Sequence, residues 1–203
     1  MIVYCREKNF EGENKMRCLW CNEKNPLYVK YHDEEWGVPR FDDSYLFEML
    51  LLESFQAGLS WECVLNKRES FREAFDGFDR EKIAAYGEEK ILSLKENKGI
   101  IRNERKIRAA VKNAQIFSEI VKEQGSFYNY LRLFWDGETV TENDKTTSPL
   151  SDSISLDLKK RGMSFCGSTI IYSFLQAVGV INSHDCTCDT ALKESADRIK
   201  QDN

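Results

Sequence analysis

Apolar residues along this chain recur at intervals of three and four, and no stretch of strand length alternates apolar with polar. Helices are therefore predicted almost throughout, and the fold class is all-α. In chain order the spacing predicts helices over 43–57, with Asp42 or Asp43 as N-cap, then 61–66, 69–75, 79–85 capped by Asp79, and 87–97. A long helix over 103–123 follows, then 126–135 capped by Ser126, 151–161 and 168–178. Gly125, Gly162 and Gly179 fall where helices should end, which suits a left-handed C-terminal cap. The first helix is the most apolar: Leu46, Phe47, Met49, Leu50 and Leu51 lead to Glu53, Gly58 breaks the run, and Trp61 presents an indole. A carboxylate among apolar neighbours is costly unless something pairs with it. Two readings follow: a buried Glu held by a helix terminus or a tyrosine, or the floor of a pocket for a flat, cationic guest.

At 203 residues the chain suffices for one good-sized domain, burying about 70% of its unfolded surface. The segment Asp136 to Pro149 is the longest loop, and no repeat or linker divides the chain. The expected organisation is an N-terminal extension over 1–15, a single domain over 16–190 and a C-terminal tail over 191–203, with Met16 as an alternative start. There is no secretory signal and no apolar run near the ~18 residues a membrane span needs, so a soluble, cytoplasmic protein is expected. The seven cysteines form an odd, scattered set, which argues against disulfides. A net charge of -5 means that any bound polyanion is held by a local patch.

The only two histidines, His32 and His184, each lie near cysteines: Cys18 and Cys21 before the first, Cys186 and Cys188 after the second. Four nitrogen and sulfur ligands drawn from these clusters would close a tetrahedral zinc site. So wide a spacing makes it a clasp between the two ends of the chain, and spacing does not choose between the members of each cysteine pair. The plainer alternative is that the cysteines are small buried hydrophobes.

Lys98-Gly99-Ile100-Ile101-Arg102 connects two predicted helices in the pattern basic, Gly, apolar, apolar, basic. Glycine allows close approach and positive φ, and the amides of the turn and of the next helix N-terminus can receive a phosphate. From 95 to 112 there are seven basic residues against two acidic ones. The expectation is a helix-hairpin-helix that holds duplex DNA through its phosphates, without reading sequence. A solvated face after an ordinary turn is the plainer alternative.

Trp20, Tyr28, Tyr31 and Trp36 crowd the N-terminal segment beside Cys18 and His32 and, with Glu53 and Trp61, would form a slot that stacks a base. The motifs Arg17-Cys18-Leu19-Trp20, Pro26-Leu27-Tyr28, Tyr31-His32-Asp33-Glu34-Glu35-Trp36-Gly37-Val38-Pro39 and Gln56-Ala57-Gly58-Leu59-Ser60-Trp61 stand in this order. Val64-Leu65-Asn66-Lys67-Arg68, Gly99-Ile100-Ile101-Arg102, Leu158-Lys159-Lys160-Arg161-Gly162, Tyr172-Ser173-Phe174, His184 and Cys188 follow. Together they resemble the DNA-3-methyladenine glycosylase I family of the helix-hairpin-helix superfamily, from Met16 to about Cys188. One departure is an extra residue between Trp20 and Pro26.

The resemblance implies a two-lobed, all-α glycosylase fold in which one structural zinc per chain, on Cys18, His32, His184 and Cys188, joins the N- and C-terminal segments. It implies a base pocket of Glu53, Tyr31 and Trp61, with Trp20 and Tyr28. The superfamily's usual catalytic Asp beyond the hairpin is absent from this family, and here no Asp occurs between Asp79 and Asp136. The expected activity is DNA repair by a monofunctional, monomeric hydrolase that flips 3-methyladenine out of alkylated double-stranded DNA and releases the free base. Glu53 and Tyr31 would act on the base and Trp61 would stack on it. Gly58 and Leu59 would fill the vacated stack, while Lys98, Gly99, Ile100 and Arg102 hold the backbone. The rival from another class is a zinc-stabilised helix-hairpin-helix module that binds DNA without catalysis.

Overall fold

The computed structural model describes residues 15–190; the first fourteen residues, Cys5 among them, and the tail over 191–203 lie outside the described residues. Ten helices account for most of it: α1 (Pro26–Glu34), α2 (Asp43–Gln56), α3 (Trp61–Leu65), α4 (Arg68–Ala74), α5 (Arg80–Ala84), α6 (Glu88–Glu96), α7 (Glu104–Gln124), α8 (Phe127–Leu131), α9 (Pro149–Lys160) and α10 (Ser168–Ala177). None of the helices among the described residues is long and apolar enough to cross a membrane.

The architecture centres on α2. Every residue from Tyr45 to Phe55 is buried, so the helix is covered on all sides, as a continuous apolar sequence requires. It packs against α7, which carries α5, α6 and α8, and against α10, which carries α9. Phenylalanines fill the contact with α7: Phe47 meets Phe117 edge to face at 5.2 Å, and Phe117 stacks on Phe127 of α8 at 4.1 Å. By contrast α7 is amphipathic, with Ile107, Ala110, Ala114 and Phe117 inside and Arg105, Arg108 and Lys112 outside.

Of the two candidate caps for α2, Asp42 is the N-cap and accepts from the Tyr45 amide at 2.9 Å, while Asp43 accepts from the Phe127 amide at 2.8 Å and ties α8 to α2. Ser126 and Asp79 cap as expected. Helix α8 stops at Leu131 rather than running to 135, and α9 starts two residues early because Ser148 and Ser151 form a reciprocal capping box ahead of Pro149.

Two elements depart from the sequence expectation. Helix α1, unassigned there, starts on a capping Asn25 with Pro26 in its first turn, and its spacing of Tyr28, Tyr31 and His32 is helical. Its run of aromatics invites a reading as binding groups and hides the periodicity. A parallel pair of two-residue strands, β1 (Val140–Thr141) and β2 (Ile181–Asn182), fastens the long loop to the chain beyond α10. Such strands are too short to carry an alternation.

The ends of α10 and α1 meet at Gly179, which has φ +79° as the left-handed cap demands and leaves no room for a side chain: a Cβ there would lie 2.4 Å from the Pro39 nitrogen. Gly179→Ala combines backbone strain with overpacking and should cost about 3 kcal/mol. Urea unfolding should report it as a lower midpoint with an unchanged slope, and an unchanged midpoint would contradict the contact.

Candidate active site and metal centre

Cys18, His32, His184 and Cys188 are all buried, and their ligand atoms lie within 4.8 Å of one another. Sγ of Cys18 stands 3.4 Å from Nδ1 of His184, and Sγ of Cys188 3.6 Å from both that nitrogen and Nε2 of His32. Tetrahedral bonding at ordinary zinc distances would set such sulfur–nitrogen edges at about 3.6 Å. Outer partners orient both rings: Asp33 Oδ1 lies 2.8 Å from His32 Nδ1, and the Trp36 carbonyl 3.3 Å from His184 Nε2. Burial pushes the Cys18 thiol up to about 12 and His184 down to about 4, so the histidine keeps its lone pair and a thiolate there needs a cation beside it. The donor set therefore fits a metal ion. Cys21 instead points at the Tyr28 carbonyl and Cys186 is exposed, so geometry makes the choice that spacing left open. Between Trp20 and Pro26 the chain makes turns closed by the Cys18 and Asn22 carbonyls, which accept from the amides of Cys21 and Asn25 at 2.9 and 3.0 Å.

The ends are also joined without metal. Met16 and Asp189 exchange two hydrogen bonds of 2.9 Å, and the Leu19 amide donates to Asp185 at 3.0 Å.

Against this clasp lies a cavity of about 300 Å³ walled by Trp20, Tyr28, Tyr31, Trp36 and Trp61, with Glu53 and Gln56 among its lining. Its rings are continuous with the metal ligands: Trp36 is 4.6 Å from His184 and from Trp20, and Trp20 is 5.2 Å from His32. Tyr31 and Trp61 face each other at 5.2 Å. The helix that presents Trp61 is held to the N-terminal segment by Glu62, which accepts from Asn22 and Asn25 at 2.8 Å each.

Four polar atoms of residues lining this cavity are buried with no hydrogen-bond partner: Glu53 Oε2, Gln56 Oε1, Trp61 Nε1 and Ser183 Oγ. Buried polar groups are nearly always paired, so four unpaired ones around one cavity single it out as a candidate binding site. The plainer reading of Glu53, a carboxylate satisfied by a helix end or a tyrosine, fails for Oε2. Gln56 was not singled out from sequence, although its position one turn after Glu53 places it on the same helix face.

After Gln56 the chain makes a type II turn: Ala57 has φ -44° and ψ 113°, Gly58 has φ +78°, and the Leu59 amide donates to the Gln56 carbonyl at 2.6 Å. Gly58 and Leu59 are exposed.

The hairpin between α6 and α7 differs from expectation in three respects. Gly99 is not left-handed; the space around it is tight, a Cβ standing 3.0 Å from Asn97 Oδ1 and 3.1 Å from Cβ of Ser70. Ile100 is buried and anchors the hairpin, so only its backbone is left to meet a ligand. Lys106, counted with the basic patch, is buried and bonds to main-chain carbonyls at the end of α2. Lys95 pairs with Glu104, and Arg108 with Glu104 and Glu88. Lys98, Arg102, Arg105 and Lys112 are exposed and make no ion pair among the described residues. Arg105, Arg108 and Lys112 line a groove of about 660 Å³ whose other wall is Lys159 and the chain from Met163 to Gly167. That second wall is a helix-loop-helix in its own right, α9 to α10.

The cavity thus combines an unpaired carboxyl with aromatic walls. The profile of the methyladenine glycosylase family matches residues 20–191. DNA-3-methyladenine glycosylase 1 of Escherichia coli is 43% identical over 178 residues, covering 85% of this chain and 95% of that protein. A crystal structure of a 3-methyladenine DNA glycosylase I superposes with a TM-score of 0.82 at 44% identity, over 86% of this chain and 98% of the other. A variant of such an enzyme in complex with 3-methyladenine superposes at 0.81 with 33% identity, over 86% and 96%. This chain belongs to the methyladenine glycosylase family.

Burial pushes the Glu53 carboxyl up to about 8, against about 4.3 for an unfolded Glu. A folded-state value above the unfolded one means the folded state holds its proton more tightly, so stability falls as pH rises from the lower value to the higher. Glu53→Gln removes that loss. Its melting temperature should gain steadily on wild type between about pH 5 and pH 8. Parallel melting curves across that range would show that the carboxyl is not buried as described.

Proposed function

We propose that this chain hydrolyses the N-glycosidic bond of 3-methyladenine in alkylated duplex DNA, releasing the base and leaving an abasic site. The observation that carries the reading is the partnerless Glu53 carboxyl beneath the Tyr31 and Trp61 rings, in a chain whose relatives bear the name of this activity.

Methylation at N3 leaves adenine cationic within the nucleotide, so the base departs neutral without being protonated. The enzyme therefore has less to supply than for an ordinary base. A poorly paired, modified nucleotide also costs less to flip from the stack. In the cavity, Trp61 stacks on the cationic ring, a contact worth about 1 to 3 kcal/mol with cation–π attraction added. The arriving positive charge stabilises the Glu53 carboxylate, so the proton passes to water as the base enters and the carboxylate accepts from the base edge. Tyr31 orients that carboxylate or touches the base, while Trp20 and Tyr28 close the slot. Water attacks the anomeric carbon of an oxocarbenium-like state. Lys145 of the long loop also lines the cavity, but its ammonium pairs with Glu142 at 3.0 Å, and the bond is hydrolysed by water without strand cleavage.

On the DNA side, Leu59 on its Gly58 turn fills the vacated stack. Lys98, Arg102 and the Gly99–Ile100 backbone meet phosphates on one hairpin, and the groove between α7 and the α9–α10 loop extends the same positive face. Cys18, His32, His184 and Cys188 would hold one zinc ion, which would supply folding energy rather than chemistry. The protein acts as a cytoplasmic monomer.

Incubation with methylated duplex DNA, followed by chromatography of the supernatant, should show released 3-methyladenine; Trp61→Ala should lower affinity for the free base by at least about tenfold and Glu53→Gln should slow release. Duplex binding with no released base would replace this reading with a non-catalytic DNA-binding module. Metal analysis of the purified protein should return about one zinc per chain. Chelation should expose the segments around Cys18 and Cys188 to protease first, and a metal content far below stoichiometric would refute the clasp.

A further inference from the structure

We infer that Lys106 is a positioning residue that sets the Gln56–Leu59 turn, and with it the rim of the base cavity, from the first turn of α7. The inference rests on the proposed excision of a flipped base.

Lys106 is the third residue of α7, and its amide takes the cap from Asn103 Oδ1 at 3.2 Å. Its side chain runs inward and is only 6% exposed. The ammonium donates to the carbonyl of Phe55 at 2.7 Å and to that of Ala57 at 2.6 Å. No carboxylate pairs with it among the described residues; its other neighbour is the Phe165 ring, 5.8 Å away on the α9–α10 loop. A buried ammonium satisfied by carbonyls alone is an expensive way to end a helix. Glycine and solvent would end it at less cost.

What the arrangement secures is place. The two gripped carbonyls bracket Gln56, whose Oε1 lines the cavity unpartnered. Glu53 lies one turn upstream on the same helix. One residue downstream of the grip, Gly58 and the Leu59-to-Gln56 hydrogen bond fix where exposed Leu59 stands. Lys106 also belongs to the helix that leaves the Lys98–Arg102 hairpin, so it joins the surface that would hold phosphates to the turn that would fill the stack. A free base entering the cavity meets Glu53, Tyr31 and Trp61 and has no need of that turn. A nucleotide leaving a duplex does need it.

Lys106→Met keeps most of the apolar stem and removes the donors; because the Phe55 and Ala57 carbonyls lose this partner, each assay is run at a temperature where the variant's melting curve shows it fully folded. We expect excision from methylated duplex under single-turnover conditions to fall at least about tenfold, with affinity for free 3-methyladenine changed by less than about threefold. Lys106→Arg, which keeps the charge and the donors, should recover part of the rate. Combined with Leu59→Ala, Lys106→Met should add little further loss, because both act through one turn. Independently of activity, the Leu59 amide should exchange with solvent at least about tenfold faster in Lys106→Met while amides in the middle of α2 keep their protection. Unchanged exchange at Leu59 overturns the inference, as do wild-type excision by Lys106→Met, equal losses of excision and free-base affinity, and fully multiplicative effects with Leu59→Ala. If the wild-type protein releases no base, the proposed excision fails, while the exchange measurement still decides whether Lys106 sets the turn.

Discussion

The structure depends on keeping one carboxyl group dry and unpaired. Glu53 sits near the end of a helix buried along eleven consecutive residues, and nothing in the fold meets its Oε2. Such a group survives only if its surroundings cannot relax onto it, because a mobile wall would admit water or swing a donor into reach. The cavity is accordingly built of rings whose neighbours are fixed. Trp61 begins a helix held by Glu62 to two asparagines, and Trp20 and Trp36 lean on the histidines of the clasp. The tie between the ends of the chain and the aromatic cavity are thus one construction.

Much of the fold was legible because its helices obey local rules. Asp79 and Ser126 cap where their side chains can reach free amides, and Gly125, Gly162 and Gly179 take the left-handed conformation at helix ends. The clasp was legible as a set of clusters, since two histidines beside cysteine pairs are conspicuous in any sequence. Choosing Cys18 over Cys21 needed either a family pattern or coordinates, because both occupy the same short loop. Glu53 was conspicuous as a charge within an apolar run, whereas whether its oxygen lacked a partner depends on side chains from distant segments.

What sequence concealed has a common cause: a residue type says little about which way its side chain turns. Lys106 looks like its neighbours Arg105 and Arg108 yet faces inward, and in doing so leaves the basic patch it appeared to strengthen. Gly99 suggested a left-handed turn, while the structure shows instead a close approach to Ser70, from a different helix. Helix α1 was obscured by its aromatics, and the two-residue strands are shorter than any periodicity. In each case a tertiary neighbour decides, and local spacing carries no record of it.

The raised carboxyl of Glu53 has an electrical consequence for the proposed reaction. Near neutral pH the empty cavity holds a protonated, uncharged acid; filled with a methylated base it holds a carboxylate facing a cation. The charge of Glu53 and its guest together is close to zero in both states, so binding exchanges a proton for the ligand's positive charge and leaves no bare ion at that point of a poorly screened interior. Unmodified adenine brings no charge to exchange. It would meet either an acid with its proton still on or an isolated anion, and the second is the state such an interior tolerates least. On this account discrimination against the vast excess of normal bases resides in electroneutrality as well as in the shape of the slot.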